Sequence, residues 1–353
     1  MANKDQLTKA QSAKKDEFYT QYSDIEKEMN AYLEYDENVF RDKTILLPCD
    51  DPEWSNFTKY FSQNFEKFGL RKVISTSYAP TARVIHQQPT LFESESPQYD
   101  EKLSKAKGKI FVLSRDANGD KRINVNDLEW EYLKGDGDFR SNEVKALRDE
   151  ADIIITNPPF SLFRDFLAWI FEANKQFVIL GNVNAITYKE VFPLIKSDRL
   201  WLGPSITSGD REFQVPKYYP LSAAGSRVDD DGNQFIRVKG VRWFTCLDHG
   251  RRHQPVSLMT KADNKKFSKH KEVKGIGYQK YANCNAIDVS FSDAIPSDHR
   301  GLMGVPITFL DKYNPEQFEI VRFRKGDDGK DLRFADGTSP YFRILIRHRE
   351  AKK

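Results

Sequence analysis

The chain has 353 residues, of which 39% are hydrophobic and 30% charged, and this length and composition exclude a disordered protein. It contains no run of eighteen apolar residues and no apolar stretch near its N-terminus, so we expect neither a membrane span nor a signal peptide. The net charge of +3 is unevenly distributed: residues 1–150 carry −5 (23 Lys and Arg against 28 Asp and Glu) and residues 151–353 carry +8 (32 against 24), which favours a polyanionic partner.

The cysteine pattern bears on the redox compartment and on metal binding. Cys49, Cys246 and Cys284 are far apart, odd in number and without a Cys-x-x-Cys spacing. Such a pattern is typical of a reducing compartment and argues against a disulfide scaffold or a structural zinc site. We therefore expect a cytoplasmic protein without a structural metal.

The apolar residues, taken in chain order, predict one helix followed by alternating strands and helices. In a polar helix over the first forty residues, the apolar positions recur at helical spacing: Ile25, Met29, Tyr32 and Leu33. Nearly continuous apolar runs, typical of strands buried on both faces, follow at Thr44–Leu47, Lys72–Ser77, Lys109–Leu113, Asp152–Thr156, Gln176–Leu180 and Arg199–Leu202. Helical stretches lie at Ser55–Phe68 and Ser161–Ala173, and turns and basic residues dominate from about residue 205 onward. This alternation predicts an open α/β sheet with ligands at the carboxyl ends of its strands.

The most informative motif is Asn157-Pro158-Pro159-Phe160, which directly follows the predicted strand Asp152–Thr156. Its two prolines fix the backbone and remove two N–H donors, so the loop presents carbonyl oxygens in a nearly rigid geometry. The Asn157 amide oxygen and the Pro158 carbonyl can accept hydrogen bonds from one exocyclic NH₂ group, while Phe160 offers a ring for stacking a planar base. The motif resembles the loop of the amino-methyltransferases, which implies methylation of an exocyclic or amide nitrogen with S-adenosylmethionine. The simpler alternative is an Asn-Pro turn that closes an ordinary strand.

Six further segments extend this pattern along the chain. They are Asp16-Glu-Phe-Tyr-Thr20, Cys49-Asp-Asp-Pro-Glu-Trp-Ser-Asn-Phe57, Gly135-Asp-Gly-Asp-Phe-Arg-Ser141, Ser208-Gly-Asp-Arg-Glu-Phe213, Leu247-Asp-His-Gly-Arg-Arg-His253 and Gly304-Val-Pro-Ile-Thr-Phe-Leu-Asp-Lys-Tyr-Asn314. With the Asn157 loop, and in this order, they make the chain resemble the EcoRI-type adenine-specific DNA methyltransferases over nearly its whole length.

The resemblance implies a Rossmann-like class I methyltransferase fold, which is an open, mostly parallel twisted sheet with helices on both faces, with DNA-contacting insertions and a C-terminal region. Residues 1–40 would form an N-terminal helical segment with a cofactor-covering motif, residues 41–248 the catalytic domain, and residues 249–353 a basic target-recognition region packed on that domain. The implied reaction moves a methyl group from S-adenosylmethionine to the exocyclic amine of an adenine flipped out of duplex DNA. The implied enzyme is monomeric, and a cognate restriction endonuclease, where one exists, acts separately.

The resemblance also implies where the cofactor binds. The methionine end of the cofactor would be covered by Phe18, Tyr19 and Thr20. Asn157 would also contact the cofactor. Asp138 would bind its adenine amine, with Phe139 packed on the adenine ring.

The turn after the first predicted strand is the other expected cofactor contact. It consists of Cys49, Asp50, Asp51 and Pro52, and it lies where a nucleotide cofactor binds in an α/β sheet. Asp50 could hold the cofactor's amino group or a ribose hydroxyl. The alternative for Asp50 and Asp51 is capping of the helix that starts near Trp54. Many related enzymes have an acidic residue at the end of the second strand, and that residue binds the ribose of the cofactor. This chain has Ser75, Thr76 and Ser77 there, so the ribose contact is not assigned.

A basic stretch indicates the DNA-binding surface. Residues 251–280 contain nine Lys and Arg against Asp263 and Glu272, a net charge of +7 that suits phosphate contacts, the alternative being a solvated loop. The expected DNA contacts are Arg211, Arg251, Arg252, Lys265, Lys266 and Lys269. His249 and His253 have no third metal ligand nearby, and we interpret them as close to DNA.

Two other motifs resemble a calcium-binding loop and a nuclease site, but simpler interpretations fit them better. The segment from Asp116 to Asp127 follows the spacing of an EF-hand loop, but Lys121 replaces the glycine and Asp127 the glutamate of that loop. A β-hairpin turn at Asn118–Gly119 is the better interpretation. The loose nuclease pattern Asp138…Glu143-Val-Lys145 overlaps the expected cofactor loop and arises by chance in charged chains.

The sequence thus predicts a site-specific DNA adenine-N6 methyltransferase. Three alternatives remain at this point: an RNA adenine or protein glutamine methyltransferase, a non-catalytic DNA-binding protein on the same fold, and a metal-dependent nuclease.

Overall fold

A computed structural model of the protein describes residues 19–49, 55–79, 99–104, 106–215, 225–324 and 331–349. The helices are α1 (Tyr22–Tyr35), α2 (Asn56–Gln63), α3 (Phe65–Phe68), α4 (Glu101–Ser104), α5 (Asn142–Glu150), α6 (Phe163–Glu172), α7 (Phe192–Lys196) and α8 (Lys261–Phe267). The strands are β1 (Thr44–Leu47), β2 (Lys72–Thr76), β3 (Lys109–Leu113), β4 (Glu129–Tyr132), β5 (Ile153–Thr156), β6 (Gln176–Asn182), β7 (Trp201–Leu202), β8 (Arg211–Val215), β9 (Arg227–Val228), β10 (Gln234–Val238), β11 (Val241–Thr245), β12 (Ala286–Asp288), β13 (Leu302–Pro306), β14 (Phe318–Arg324) and β15 (Arg343–His348). No helix among these residues is long and apolar enough to span a bilayer.

The chain divides into two compact units. The first is formed by Met1–Val183 and Ser205–Leu247, and the second by Asn184–Pro204 and Asp248–Lys353. The second unit therefore contains residues 184–204, which the sequence analysis assigned to the catalytic domain.

The first unit is built on a mixed sheet with the strand order β4-β3-β2-β1-β5-β6-β11. Its centre is parallel, because β1 pairs in parallel with β2 and β5, and β5 with β6. From β1 the chain proceeds to β2 on one side and later to β5 on the other, so a topological switch point lies between β1 and β5. This sheet confirms the predicted Rossmann-like α/β class, although β3 pairs antiparallel with both of its neighbours.

The apolar positions that predicted helices and strands form the core of the first unit. Ile25, Met29 and Tyr32 of α1 are fully buried in one cluster with Ile45 of β1 and Ile155 of β5. Each such side chain contributes about 1.5–3 kcal/mol to folding when fully buried. The predicted period-3.6 pattern of the N-terminal helix is thereby confirmed over Tyr22–Tyr35.

Two elements differ in detail from the prediction. The helix expected over Ser55–Phe68 is divided, because Asn64 leaves the helical conformation at φ −106° and ψ 13°. The hairpin of β3 and β4 is present, but it has no tight turn at Asn118–Gly119. Residues 114–128 form a long loop instead, in which the Asp116 carboxylate accepts hydrogen bonds from two backbone amides of that loop, at 2.6 and 2.8 Å.

The second unit contains a four-stranded sheet with the order β12-β13-β15-β14. A buried polar network joins its strands: the Asp288 carboxylate accepts hydrogen bonds from Tyr281 Oη at 2.5 Å and from Arg343 Nε at 2.9 Å. Asp288 and Arg343 are each 9% exposed, so this ion pair is held inside the unit. Removing one partner would leave the other charge buried without compensation. The network therefore stabilises the pairing of these strands only when it is complete.

Candidate active site

The Asn157 loop leaves the centre of the first unit's sheet. All four residues of β5 are buried, and the loop that follows begins with Asn157, 7% exposed, and a buried Pro158. Pro159 lies at φ −53° and ψ 124°, and its carbonyl accepts a hydrogen bond of 2.9 Å from the Leu162 amide. Because the backbone passes from a buried strand through two prolines into a closed turn, the loop has little freedom to rearrange.

The ends of β1 and β5 lie side by side at this edge. Leu46 pairs with Ile154, and three residues further on, beyond the ends of the two strands, lie Cys49 and Asn157 respectively. Neighbouring strands are about 4.8 Å apart, so the two loops begin close together at the switch point. Asp50, Asp51 and Pro52 lie outside the described residues.

The N-cap of helix α2 is a serine. Helix α2 begins at Asn56, and its N-cap is Ser55, whose hydroxyl accepts from the amides of Phe57 and Thr58 at 3.1 and 3.4 Å. Ser55 therefore occupies the N-cap position of α2, and both interpretations of Asp50 and Asp51 stay predictions.

The two phenylalanines that follow the prolines have different environments. Phe163 is 2% exposed and packs on Phe244 with ring centroids 5.0 Å apart. A Cβ added at Gly181 would overlap the Phe163 ring, so glycine is required there. Phe160 is half-buried and packs against the edge of the apolar core. The sequence did not predict the contact between Phe163 and Gly181. A glycine inside the apolar strand β6 was the signal that could have indicated it.

The segment expected to cover the cofactor is joined to two other elements of the first unit. Tyr19 and Gln214 of β8 exchange two backbone hydrogen bonds, at 3.0 and 3.2 Å. The Asn56 side chain donates a hydrogen bond of 2.7 Å to the Thr20 carbonyl. Tyr19 is thus held on β8, and Thr20 on the first turn of α2. Phe18 lies outside the described residues.

Two buried hydroxyl groups are available for a polar ligand. Thr20 Oγ1 and Thr156 Oγ1 are buried and form no hydrogen bond within the described parts of the chain. Burying a hydroxyl without a partner costs about 1–3 kcal/mol, so such groups are favoured where a ligand supplies the missing bond. Thr156 is the last residue of β5, so its hydroxyl fits a polar cofactor at the carboxyl edge of the sheet.

The glycine-rich loop of residues 135–139 packs on the end of β2. Gly137 adopts φ +85°, and a Cβ at this position would overlap the Ser77 carbonyl oxygen. The Ala79 amide also donates a hydrogen bond of 2.7 Å to the Asp136 carbonyl. Only glycine allows the loop to approach β2 this closely.

Asp138 and Phe139, the residues expected to bind adenine, are both in contact with neighbouring side chains. Arg140 donates to both carboxylate oxygens of Asp138, from Nε at 2.9 Å and from Nη2 at 2.6 Å. These bonds lower the pKa of Asp138 and keep it ionised. Phe139 is 6% exposed and meets Phe166 and Trp169 edge-on, with centroids 5.1 and 5.6 Å away. Its stacking on the cofactor stays a prediction.

In the second unit, the two arginines expected to contact DNA take part in local structure. The Arg252 side chain is 10% exposed, lies 2.6 Å from Asp198 Oδ1 and stacks over the Trp201 ring at 3.9 Å. Arg251 Nη1 donates to the Pro204 carbonyl at 2.8 Å. His249 belongs to the same turn, where its Nδ1 accepts from the Arg252 amide at 3.3 Å, and burial lowers its pKa to about 4. A neutral His249 therefore caps the short 3-10 helix Gly250–His253.

The expected lysine contacts are in a different environment. Lys265, Lys266 and Lys269 are all exposed, on and just after α8. Lys269 forms a surface ion pair of 2.7 Å with Asp293, a kind of contact worth about 0–1 kcal/mol and readily exchanged for a phosphate. Arg211 lies in the first unit and lines a cavity of about 580 Å³ with Asp24 and Arg237. No cluster of three or more metal-ligating side chains occurs in the described ranges.

The central sheet and its Asn-Pro-Pro-Phe loop define a Rossmann-like methyltransferase. The family model described as adenine-specific methyltransferase EcoRI matches residues 6–349, and the chain belongs to this family. It is 43% identical over 347 residues to the Type II methyltransferase M.EcoRI of Escherichia coli, covering 98% of this chain and 97% of that protein. It is 32% identical over 362 residues to the Type II methyltransferase M.MpnI of Mycoplasma pneumoniae, covering 98% of each chain. No solved structure gives a significant match.

The protein is accordingly an adenine-specific DNA methyltransferase of a restriction-modification type. This identification confirms the predicted enzyme class over the RNA, protein-glutamine, non-catalytic and nuclease alternatives. Methyltransferases of this kind use S-adenosylmethionine as the methyl donor, and the substrate is DNA.

Proposed function

We propose that the reaction takes place at the Asn157 loop, on an adenine held outside the duplex. The observation that carries this proposal is the placement of a buried Asn157 and Pro158 beside the end of β1, with a half-buried Phe160 two residues further on. An adenine amine inside a duplex cannot be approached in line by a methyl donor, so the base must leave the stack at a cost of a few kcal/mol. Stacking on Phe160 would recover about 1–3 kcal/mol of that cost.

The loop acts by positioning the nucleophile. The Asn157 amide oxygen and the Pro158 carbonyl accept hydrogen bonds from the two N–H groups of the adenine amine. This orientation turns the lone pair of the amine nitrogen toward the methyl donor. When bound, S-adenosylmethionine supplies an electrophilic methyl group on a sulfonium. The two oxygens stabilise the positive charge that develops on the adenine nitrogen, and one proton then leaves this nitrogen to water. A rigid loop favours this role because its oxygens need not reorganise during the reaction.

The proposed cofactor site combines the described and the expected residues. Thr20 and Thr156 supply buried hydroxyls, and Asn56 of α2 holds the Thr20 carbonyl. Asp50, Asp51, Pro52 and Phe18 stay predicted cofactor contacts from the sequence. Asp138 is proposed to accept a hydrogen bond from the cofactor's adenine amine at Oδ2, because Arg140 donates two bonds to Oδ1 and only one to Oδ2.

The proposed DNA surface of the second unit consists of its exposed lysines, and Arg211 is proposed separately as a DNA contact of the first unit. Arg251 stays a predicted contact, whereas the ion pair and stacking of Arg252 support a role in building the turn that carries Arg251. We further propose that the enzyme acts as a monomer in the cytoplasm and, where a cognate endonuclease exists, independently of it.

Replacement of Asn157 tests the proposed reaction site. Asn157→Ala should abolish methyl transfer, measured with a tritiated methyl donor on duplex DNA, and leave cofactor affinity by calorimetry nearly unchanged. Asn157→Asp keeps an acceptor oxygen at the same position and should retain measurable activity. Loss of cofactor binding together with activity in Asn157→Ala would contradict the assignment of this residue to the target amine.

A further inference from the structure

Exposed apolar side chains are concentrated in one part of the second unit. Of six large apolar or aromatic side chains exposed in the described ranges, three lie within residues 259–276: Met259, Phe267 and Ile276. Phe267 is 59% exposed and Ile276 68% exposed. Single exposed apolar residues need no explanation, but a local concentration of large ones indicates an interaction surface.

The segment that carries these side chains is held firmly by its other residues. Asn264 is fully buried in α8, Ser268 is 2% exposed and Val273 is 3% exposed. The Gly275 amide donates a hydrogen bond of 2.8 Å to the Lys265 carbonyl, which closes the segment into a compact loop. Polar Asn264 and Ser268 thus point inward while Phe267 points out, the reverse of the arrangement that burial alone would favour.

A stacked histidine fixes the middle of this loop. The His270 ring lies 3.7 Å from the Phe291 ring at an interplanar angle of 3°, and its Nε2 is 2.7 Å from Asp293 Oδ1. Phe267 and Ile276 are therefore presented from a rigid support, on opposite sides of the His270 anchor in the sequence. Little conformational entropy is lost when such a preorganised surface binds.

The charges around the two apolar side chains identify the partner. Lys265, Lys266, Lys269, Lys271 and Lys274 are all exposed between or beside them. Lys266 Nζ lies 4.8 Å from the centre of the Phe267 ring, so cation and ring share one surface. A second copy of the chain would bring two lysine clusters face to face, whereas the phosphates of a duplex complement them.

We propose that Phe267 and Ile276 form an apolar wedge that enters a base step of the bound duplex. Lysines would hold the phosphates on either side while the apolar side chains partly unstack the base pairs and kink the DNA. Unstacking at the bound site lowers the further cost of extruding a base. This inference rests on the proposed DNA surface of the second unit and assigns it an active part in deforming the substrate.

The test compares the Phe267→Ala/Ile276→Ala double variant with wild type and with Tyr341→Ala. Tyr341 is 70% exposed, outside the lysine cluster, and provides a matched loss of exposed apolar surface. The probe is a 30-base-pair duplex containing the site found by methylation sequencing of DNA from expressing cells, with a dye at each end. Energy transfer between the dyes reports bending, and kcat/KM reports methylation.

The double variant is expected to lose most of the bending signal and at least tenfold in kcat/KM, with an unchanged melting temperature and salt dependence of binding, since no charge is removed. Phe267→Trp should restore bending, and a mismatch at the unstacked step should restore much of the rate. Wild-type bending and kcat/KM in the double variant would overturn the wedge, as would a change in oligomeric state by sedimentation. Failure of wild type to bind or methylate the duplex would instead refute the proposed DNA surface.

Discussion

The side-chain amide of Asn56 donates a hydrogen bond of 2.7 Å to the Thr20 carbonyl, which joins the first turn of α2 to a segment 36 residues earlier in the chain. Asn56 follows in sequence the expected cofactor contacts Cys49–Pro52, and Thr20 belongs to the motif expected to cover the cofactor. One side chain thus ties together two parts of the proposed cofactor site that are distant in sequence.

Asn56→Ala should therefore weaken binding of S-adenosylmethionine. The Thr20 carbonyl would lose its partner, at a cost of about 1–3 kcal/mol for a buried acceptor. Calorimetry should show a weaker cofactor affinity, by about tenfold if 1.4 kcal/mol of the loss falls on binding.

Asn64→Ala is the matched control, since Asn64 Nδ2 forms a similar bond of 2.9 Å to the Tyr60 carbonyl at the other end of the same helix. It should affect stability without a specific effect on cofactor affinity. Equal affinity losses in both variants would indicate a general effect on α2 in place of a local one.

The environments of Phe160 and Phe163 predict opposite phenotypes for their alanine variants. Phe160→Ala should keep the fold and cofactor binding but lose roughly 1–3 kcal/mol of stabilisation of the extruded base, while Phe160→Tyr or Phe160→Trp should stay active. Its defect should shrink when the target adenine is mismatched, because unpairing then costs less. Melting curves and activity on matched and mismatched duplexes provide the measurement.

Phe163→Ala is the comparison, because this ring is 2% exposed and should cost about 3–5 kcal/mol of folding stability whatever the DNA. A similarly large drop in melting temperature for Phe160→Ala, without rescue by the mismatch, would show that Phe160 serves the core.

The exposed lysines predict a salt-dependent defect. Replacing Lys265, Lys266 and Lys269 with alanine should weaken binding to all DNA sequences alike and reduce the slope of log affinity against log salt by up to about 2.7. Replacing three exposed lysines of the first unit (Lys59, Lys67 and Lys134) removes the same charge and should leave the slope nearly unchanged. Titrations of duplex DNA at several salt concentrations show whether these lysines contact phosphates. Equal slopes for wild type and the Lys265/Lys266/Lys269 variant would show that the three side chains face solvent in the complex.

Gly137 and Gly119 provide a test of the loop that packs on β2. Their φ angles are +85° and +80°, so alanine at either position should cost about 1–2 kcal/mol of backbone strain. Only at Gly137 does the added Cβ overlap the Ser77 carbonyl, whereas no described atom lies within 4 Å at Gly119. Gly137→Ala should therefore lose a further 1–3 kcal/mol or so of stability and bind cofactor more weakly. Denaturant unfolding and calorimetry of both variants measure the difference, and identical losses would exclude close packing as the reason for glycine.

Much of the first unit could be predicted from local patterns in the sequence. The apolar run of β5 followed by Asn157-Pro158-Pro159-Phe160 predicts a buried strand with a rigid loop, because hydrophobic continuity and proline act on neighbouring residues. The helical spacing of Ile25, Met29 and Tyr32 predicts α1 for the same reason.

The roles of chemically similar residues were decided only by tertiary structure. Arg252 and Lys265 are alike as cations in a basic stretch, yet contacts with Asp198 and Trp201 bury the first while the second stays exposed. Phe160 and Phe163 follow the same two prolines, and Gly181 together with Phe244 selects Phe163 as the core residue. Burial of a side chain depends on partners many residues away, and those partners meet only when the strands pair. A local pattern therefore determines whether a segment forms a helix or a strand. It does not determine which side chains of that segment stay exposed to bind DNA.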